Sequence, residues 1–126
     1  MTTLYWVPAI LTAALIFWLS HLSDLPEPSG WYFSDKVAHA LEYGFFMLTL
    51  VYGTTRGFEP ALRRRSRVVA AFAIATLYGI SDEFHQSFTG RDPSAFDWLA
   101  DVVGALLMAL LIAALWRRMA APQDQL

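Results

Sequence analysis

Three short polar motifs interrupt an otherwise apolar chain, and they carry groups that can exchange protons or bind ions. In the first motif, Asp35, His39 and Glu42 are spaced i, i+4 and i+7, which places them on one face of a helix. Tyr43 follows His39 by one turn. Imidazole and carboxylate groups in this arrangement can transfer protons, accept hydrogen bonds or ligate a metal.

The second motif stands near the end of a later apolar stretch. It contains Asp82, Glu83 and Gln86, and the spacing lets Asp82 and Gln86 share a helix face. In the third motif an aspartate recurs after one turn and a glycine follows; its residues are Asp97, Asp101 and Gly104. The glycine predicts a close contact with another helix.

The apolar stretches that carry these motifs predict four membrane-spanning helices. A helix crosses the hydrocarbon core with about 20 largely apolar residues, and it satisfies its backbone groups internally. Four stretches have this length, at about residues 4–22, 35–54, 68–88 and 96–116. We therefore expect an all-α polytopic membrane protein with four transmembrane helices in a compact bundle, forming a single domain over residues 1–126.

Composition and charge narrow the class of protein further. The 126 residues are 56% hydrophobic, and the net charge of -2 gives no basic field for nucleic acid, so we expect no nucleic-acid partner. The absence of cysteine excludes disulfides and thiolate metal sites. No basic residue precedes the first apolar stretch, so we interpret it as a retained helix and not as a cleaved signal peptide.

Turn-forming and capping residues separate the predicted helices. Residues 23–30 and 57–60 contain prolines and glycines that end helices. Ser34 is placed to cap the second helix, and Ser94 is placed to cap the fourth. Asp97 stands three residues after Ser94, which is close to a capping-box pattern.

Arginines in short loops predict the orientation of the bundle, because such residues favour the cytoplasmic side. They occur between the second and third helices and after the fourth: Arg56, Arg63, Arg64, Arg65, Arg67, Arg117 and Arg118. The opposite side holds Lys36 and Arg91 among several carboxylates. We therefore expect both termini to be cytoplasmic and the polar motifs to lie at the outer side.

Each polar residue also has a purely structural interpretation. Asp35 and Asp97 can complement helix dipoles from the first turn of a helix. Lys36 and Arg91 can extend to lipid phosphates, as basic side chains at helix ends often do. His39 lies deeper, where an internal hydrogen bond that fixes helix packing is the structural alternative.

At these positions the sequence resembles the VanZ-like family of bacterial membrane proteins. The family patterns are Asp-Lys-x-x-His-x-x-x-Tyr, then Asp-Glu-x-x-Gln, then an Arg followed by Asp-x-x-x-(Asn/Asp)-x-x-Gly. The matching residues, within about 35–104, are Asp35, Lys36, His39, Tyr43, Asp82, Glu83, Gln86, Arg91, Asp97, Asp101 and Gly104. Asp101 stands where many members have Asn. The founding member is linked to reduced susceptibility to teicoplanin-type antibiotics, so the resemblance implies, by analogy, a cell-envelope role in the bacterial plasma or inner membrane.

The leading hypothesis is binding or transport of a lipid-linked or amphiphilic cell-envelope molecule at the outer leaflet, with membrane lipid as the surrounding partner. Lys36 and Arg91 would contact an anionic group of that molecule. The full set of expected ligand-binding residues is Asp35, Lys36, His39, Glu42, Tyr43, Asp82, Glu83, Gln86, Arg91, Asp97 and Asp101.

Two other classes of function stay open. An intramembrane hydrolase or transferase would use His39, Glu83 or Asp101 as its catalytic candidates. No nucleophile or metal motif is present, so we expect no metal and no cofactor; His39 and His85 are the weak candidates for metal ligands. A structural bundle whose polar network fixes helix packing is the third class, and the sequence leaves a homo-oligomer open.

Overall fold

The computed structural model describes residues 2–22, 32–90 and 93–120, without the side chains of residues 32–34. Within these residues every regular element is helical, and the four α-helices lie where the apolar stretches predict them. They are α1 (Val7–His21), α2 (Tyr32–Thr54), α3 (Arg65–Gln86) and α4 (Ala95–Ala120), with short 3-10 turns at Thr2–Trp6 and Pro60–Leu62. The all-α fold class is thus confirmed for the described chain.

Three helices extend past the ends expected from hydropathy. α2 begins at Tyr32 instead of about residue 35, α3 begins at Arg65 instead of about residue 68, and α4 ends at Ala120 instead of about residue 116. The extensions of α3 and α4 add arginines to the helix. Hydropathy marks where a helix would leave the apolar phase, whereas backbone hydrogen bonding continues through polar residues that favour helix formation.

α2 and α4 form the central pair, and they meet through residues without bulky side chains. A Cβ atom added at Gly104 would lie 1.9 Å from the carbonyl oxygen of Ala40, so the two backbones touch there. A Cβ atom at Gly44 would lie 3.4 Å from the carbonyl oxygen of Gly104. The predicted close contact at Gly104 is therefore present, and it brings the polar turns of α2 and α4 together.

α3 and α1 pack against this pair. The buried face of α3 contains Val68, Ala71, Ala75, Gly79, Asp82 and Gln86, and that of α1 contains Ala9, Thr12, Ile16 and Ser20. Two hydrogen bonds tie neighbouring helices through backbone carbonyls. Tyr78 Oη donates to Ala13 O at 2.7 Å, and Trp98 Nε1 donates to Thr76 O at 3.3 Å.

Contacts between the helix ends show that consecutive helices run antiparallel. The rings of Tyr5 and Tyr52 lie 6.0 Å apart, and Arg63 contacts Met119, so the first and last described residues lie at one end of the bundle. We call this the arginine end; it comprises residues 2–6, 52–67 and 113–120. The other end is the acidic end, with residues 35–43, 79–90 and 93–104.

Large apolar side chains cover the outside of the bundle, while several polar ones are buried. Leu77 and Leu107 are more than 60% exposed, whereas Asp101 is 1% exposed. This distribution is the reverse of that in a soluble bundle and suits a lipid environment. Within the described residues, Thr2–His21 and Ala95–Ala120 are long and apolar enough to cross a membrane.

Candidate functional site

Lys36 links the first turns of α2 and α4. Its Nζ lies 3.0 Å from Asp35 Oδ2 and also bonds to Asp97 Oδ1. Asp97 is only 5% exposed, so this ion pair is largely removed from solvent. Two carboxylates thus share the ammonium group, and an anionic ligand would have to displace one of them.

His39 and Asp101 form the second bridge between these helices. His39 Nδ1 lies 2.9 Å from Asp101 Oδ1, and His39 Nε2 lies 4.0 Å from Asp35 Oδ1. When Asp101 is ionised, its carboxylate can only accept a hydrogen bond, so His39 Nδ1 carries the proton and donates it. The buried dyad and the Lys36 bridge therefore adjoin at Asp35, where the link between them is a contact of 4.0 Å and not a hydrogen bond.

Several buried oxygens at the acidic end have no hydrogen-bond partner in the described part of the chain. Gln86 Nε2 donates to Asp82 Oδ2 at 3.3 Å, which leaves Asp82 Oδ1 and Gln86 Oε1 without one. The same holds for Tyr43 Oη and Asp101 Oδ2. All four side chains are at most 5% exposed. Because unsatisfied buried acceptors are costly, this interior is suited to a group that donates hydrogen bonds.

Gly79 has no side chain, and the side chains of Asp101, Tyr43 and Trp98 pack against its backbone. A Cβ atom there would lie 3.4 Å from both Asp101 Oδ2 and Tyr43 Cε1, and 3.2 Å from Trp98 Cδ1. The sequence interpretation missed Gly79. Its signal was the i, i+3 spacing to Asp82, which puts both on the buried face of α3.

Glu83 organises the start of α4 from a different helix. Its Oε2 accepts a hydrogen bond of 2.7 Å from the backbone N–H of Ser94, and Ser94 Oγ accepts one of 3.4 Å from Asp97 N–H. Ser94 thus acts as the predicted cap. The return bond of a capping box is made by Glu83, since the Asp97 carboxylate binds Lys36.

Glu42 lies at a groove between α1 and α2, on a different side from the Lys36 bridge. The groove has a volume of about 360 Å³. The α1–α2 groove is lined by Thr12, Leu15, Ile16, Leu19, Ala38, Glu42 and Phe45. Glu42 is half-buried and is the ionisable group among these lining residues. The sequence interpretation did not identify the α1 side of this groove.

Ser20 and Asp82 lie together near the polar end of this groove. The Ser20 hydroxyl lies beside the Asp82 carboxylate, and both side chains are 5% exposed. Asp82 is also close enough to Glu42 for the two carboxylates to interact electrostatically. The groove is therefore largely apolar around the Glu42 carboxylate, and Asp82 of α3 lies close to that carboxylate.

His85 is placed away from the first polar motif. Its ring stacks on Phe17 at a centroid distance of 4.3 Å and on His21 at 5.8 Å, both in α1. His39 instead pairs with Asp101. The two weak metal candidates thus occupy separate surroundings.

A different set of potential ligand atoms lies closer together. One atom each of Asp35, His39 and Asp97 lies within 4.8 Å of the others, a spacing that a metal ion could bridge. The Lys36 ammonium already binds both aspartates, so a divalent cation would compete with it. Arg91, the predicted anion contact, lies outside the described residues, as does the loop before α2.

Comparison with known proteins identifies one family. The model of the VanZ/LLP1 family matches residues 2–117, which include all of the helices except the last residues of α4. No curated protein and no solved structure matches the chain. The match confirms the resemblance found in the three motifs. Together with the two long apolar helices, it indicates a membrane protein.

Proposed function

We propose that this chain, which belongs to the VanZ/LLP1 family, is a four-span protein that binds an amphiphilic cell-envelope molecule at the outer leaflet. The head of that molecule would reach the acidic end, and its apolar part would occupy the α1–α2 groove. One observation carries the proposal: an apolar groove leads to Glu42, with the buried carboxylate of Asp82 behind it.

The four-span topology is supported by the charges at the two ends of the bundle. Arginines concentrate at the arginine end, which favours the cytoplasm, while the acidic end has Lys36 bound between two aspartates. The chain has no cysteine, so single-cysteine reporters at exposed positions can test the sidedness. We expect Ser87→Cys to react with an impermeant maleimide in intact cells, and Ser66→Cys to react only after permeabilisation. The reverse pattern would reject the orientation.

The groove suits an amphiphile because it combines two environments. Leu15, Leu19 and Phe45 provide apolar walls, and Glu42 provides a polar end. Binding sites for such molecules commonly pair a mostly apolar surface with a few polar groups that fix orientation. A lipid-linked molecule can enter this groove laterally from the membrane without crossing a polar barrier.

Photocrosslinking in cells tests occupancy of the groove. A photoreactive amino acid at Leu15 would face the groove. Leu111 of α4 lies outside the groove and is the matched control, because both side chains are about half exposed. We expect the Leu15 adduct, analysed by mass spectrometry, to be enriched in one amphiphile class. Identical lipid adducts at both positions would count against a specific site.

A link to antibiotic susceptibility is tested separately from binding. Cells that depend on this protein for reduced susceptibility to teicoplanin should lose the phenotype with Glu42→Gln at unchanged membrane levels. Glu59→Gln is the matched control, because Glu59 is an exposed carboxylate at the arginine end. An equal phenotype for both variants would separate the groove from resistance.

Catalysis is the second candidate, and the His39–Asp101 dyad is the observation that favours it. A carboxylate on Nδ1 orients the imidazole and raises its ability to accept a proton at Nε2, as in general-base catalysis. Incubation of purified protein with an envelope lipid extract should then consume one lipid, and His39→Gln should abolish that consumption. An unchanged extract would leave binding as the function.

A further inference from the structure

We propose that the head group bound at the acidic end of the groove is a protonated primary amine, as in an aminophospholipid-like amphiphile. This inference rests on the proposed function, and it replaces the anionic head group expected from the sequence. The evidence is the carboxylate that lines the groove, the second carboxylate close to it, and the existing pairs of the nearby cations.

The groove presents one carboxylate, and a second lies close behind it. Glu42 of α2 lines the groove. Asp82 of α3 is close enough to Glu42 to interact with it electrostatically, and Ser20 of α1 lies next to Asp82. Within the described residues, Asp82 Oδ1 and Ser20 Oγ are buried without a hydrogen-bond partner. An ammonium group carries three donors and no acceptor, so it complements these acceptors, whereas the carboxylates disfavour an anionic head group that has no ammonium of its own.

The cationic groups nearby do not reverse this acidic character. Lys36 binds Asp35 and Asp97. His39 pairs with Asp101, and its imidazole also lies within electrostatic range of Glu42 and Asp82. His85 interacts more weakly with Asp82 and stacks against the end of α1. A phosphate would therefore have to recruit a cation from an existing pair, while an amine can bind to the acceptors as they stand.

The groove also selects for an amine that is joined to an apolar chain. Its walls at Leu15, Leu19 and Phe45 offer no hydrogen bonds from their side chains, and Thr12 Oγ1 already donates to Pro8 O at 2.8 Å. A free ammonium ion would gain the acceptors but leave this apolar surface uncovered. An acyl-bearing amine would cover both, so the occupant we assign is an amphiphile and not a soluble cation.

Native mass spectrometry of the full chain tests the assignment. The purified protein is exchanged into mixtures of three lipids with matched acyl chains: phosphatidylethanolamine, its N-acetyl derivative and phosphatidylglycerol. The derivative keeps the phosphate and chains but loses the charged amine. We expect phosphatidylethanolamine to be retained at least about tenfold better than either competitor, since hydrogen bonds to charged groups have roughly this effect.

Variants locate the effect in the groove. Glu42→Gln and Asp82→Asn should each reduce the preference for the amine, and Glu59→Gln should leave it unchanged. If either groove variant fails to fold, the comparison of the three lipids on the unaltered chain still decides the question. Equal retention of the N-acetyl derivative, or preferential retention of phosphatidylglycerol, would overturn the amine assignment while leaving lipid binding intact. Retention of none of the three, with no selective crosslinking at Leu15, would overturn the proposed function itself.

Discussion

The two ends of the bundle use charged side chains in different ways. At the arginine end, the basic groups donate to backbone carbonyls: Arg63 Nε to Phe58 O at 3.0 Å, and Arg117 Nε to Ala113 O at 3.3 Å. At the acidic end, side chains bind each other across helices, as His39 binds Asp101 and Lys36 binds Asp97. One end therefore has separate contacts, mostly to backbone carbonyls, whereas at the other end charged side chains bind each other across helices.

This difference indicates which end of the bundle is suited to a ligand-binding site. Contacts to backbone carbonyls near helix ends stabilise those ends and favour an orientation, but each can be lost without affecting the next. A buried network holds its members in fixed positions and makes them depend on each other. The buried acceptors that have no partner among the described residues, and the α1–α2 groove, adjoin the network, which is where we expect binding.

The largest effect should follow from substituting the glycine at which α2 and α4 touch. Gly104→Ala would place a Cβ atom 1.9 Å from a backbone oxygen that cannot move independently of its helix. We expect a loss of about 3 kcal/mol in the free energy of unfolding, measured in detergent. Gly53→Ala is the control at the arginine end, where the Cβ atom would lie 3.0 Å from the Trp6 ring and 3.3 Å from the Tyr5 carbonyl oxygen. Contacts at these distances need only small shifts, so a loss of about 1 kcal/mol or less is expected. Equal losses for the two variants would contradict the contrast.

The next effect concerns coupling within the buried dyad. A double-mutant cycle of His39→Ala and Asp101→Ala should give a coupling energy of about 1–2 kcal/mol, as for strong interhelical polar contacts in membranes. The same cycle between His39→Ala and Arg67→Ala should give none, because Arg67 binds the carbonyl of Thr54 at the other end. Additive effects at His39 and Asp101 would show that the network does not act as a unit.

A smaller effect is expected at the start of α4. Glu83→Gln removes the charge from the group that accepts the Ser94 N–H, so the first turn of α4 should lose about 0.5–2 kcal/mol. Hydrogen exchange should then become faster for residues 94–98 and stay unchanged in α2. Ser94→Ala removes the cap within α4 itself and should accelerate exchange at the same amides. Unchanged exchange in both variants would exclude a capping role.

The smallest effect should come from a single arginine of the arginine end. Arg67→Gln removes a half-buried contact to the last carbonyl of α2, for which we expect a loss of no more than about 0.5 kcal/mol. The cysteine reporter at position 66 should keep its accessibility, since the remaining arginines still favour the same side. A large loss of stability would mean that this end also contains a coupled network.

Much of the fold could be predicted because its signals are local. The length of the apolar stretches predicts the α-helices, and the i, i+4 spacing predicts that Asp97 and Asp101 share a face, on which both are indeed buried. Ser94 caps α4 because its hydroxyl and the amide it binds are only three residues apart. These features depend on backbone geometry within one helix.

The pairings between helices could not be predicted in the same way. Lys36 and Asp97, or Glu83 and Ser94, meet only when the rotation and axial offset of two helices are set, and packing at contacts such as Gly104 sets them. The sequence alone therefore determined the helices, the polar residues and the difference in charge between the ends. The tertiary structure decided that Lys36 is bound by aspartates, that His85 faces α1 and that Glu42 lines a groove, because each depends on side chains distant in sequence.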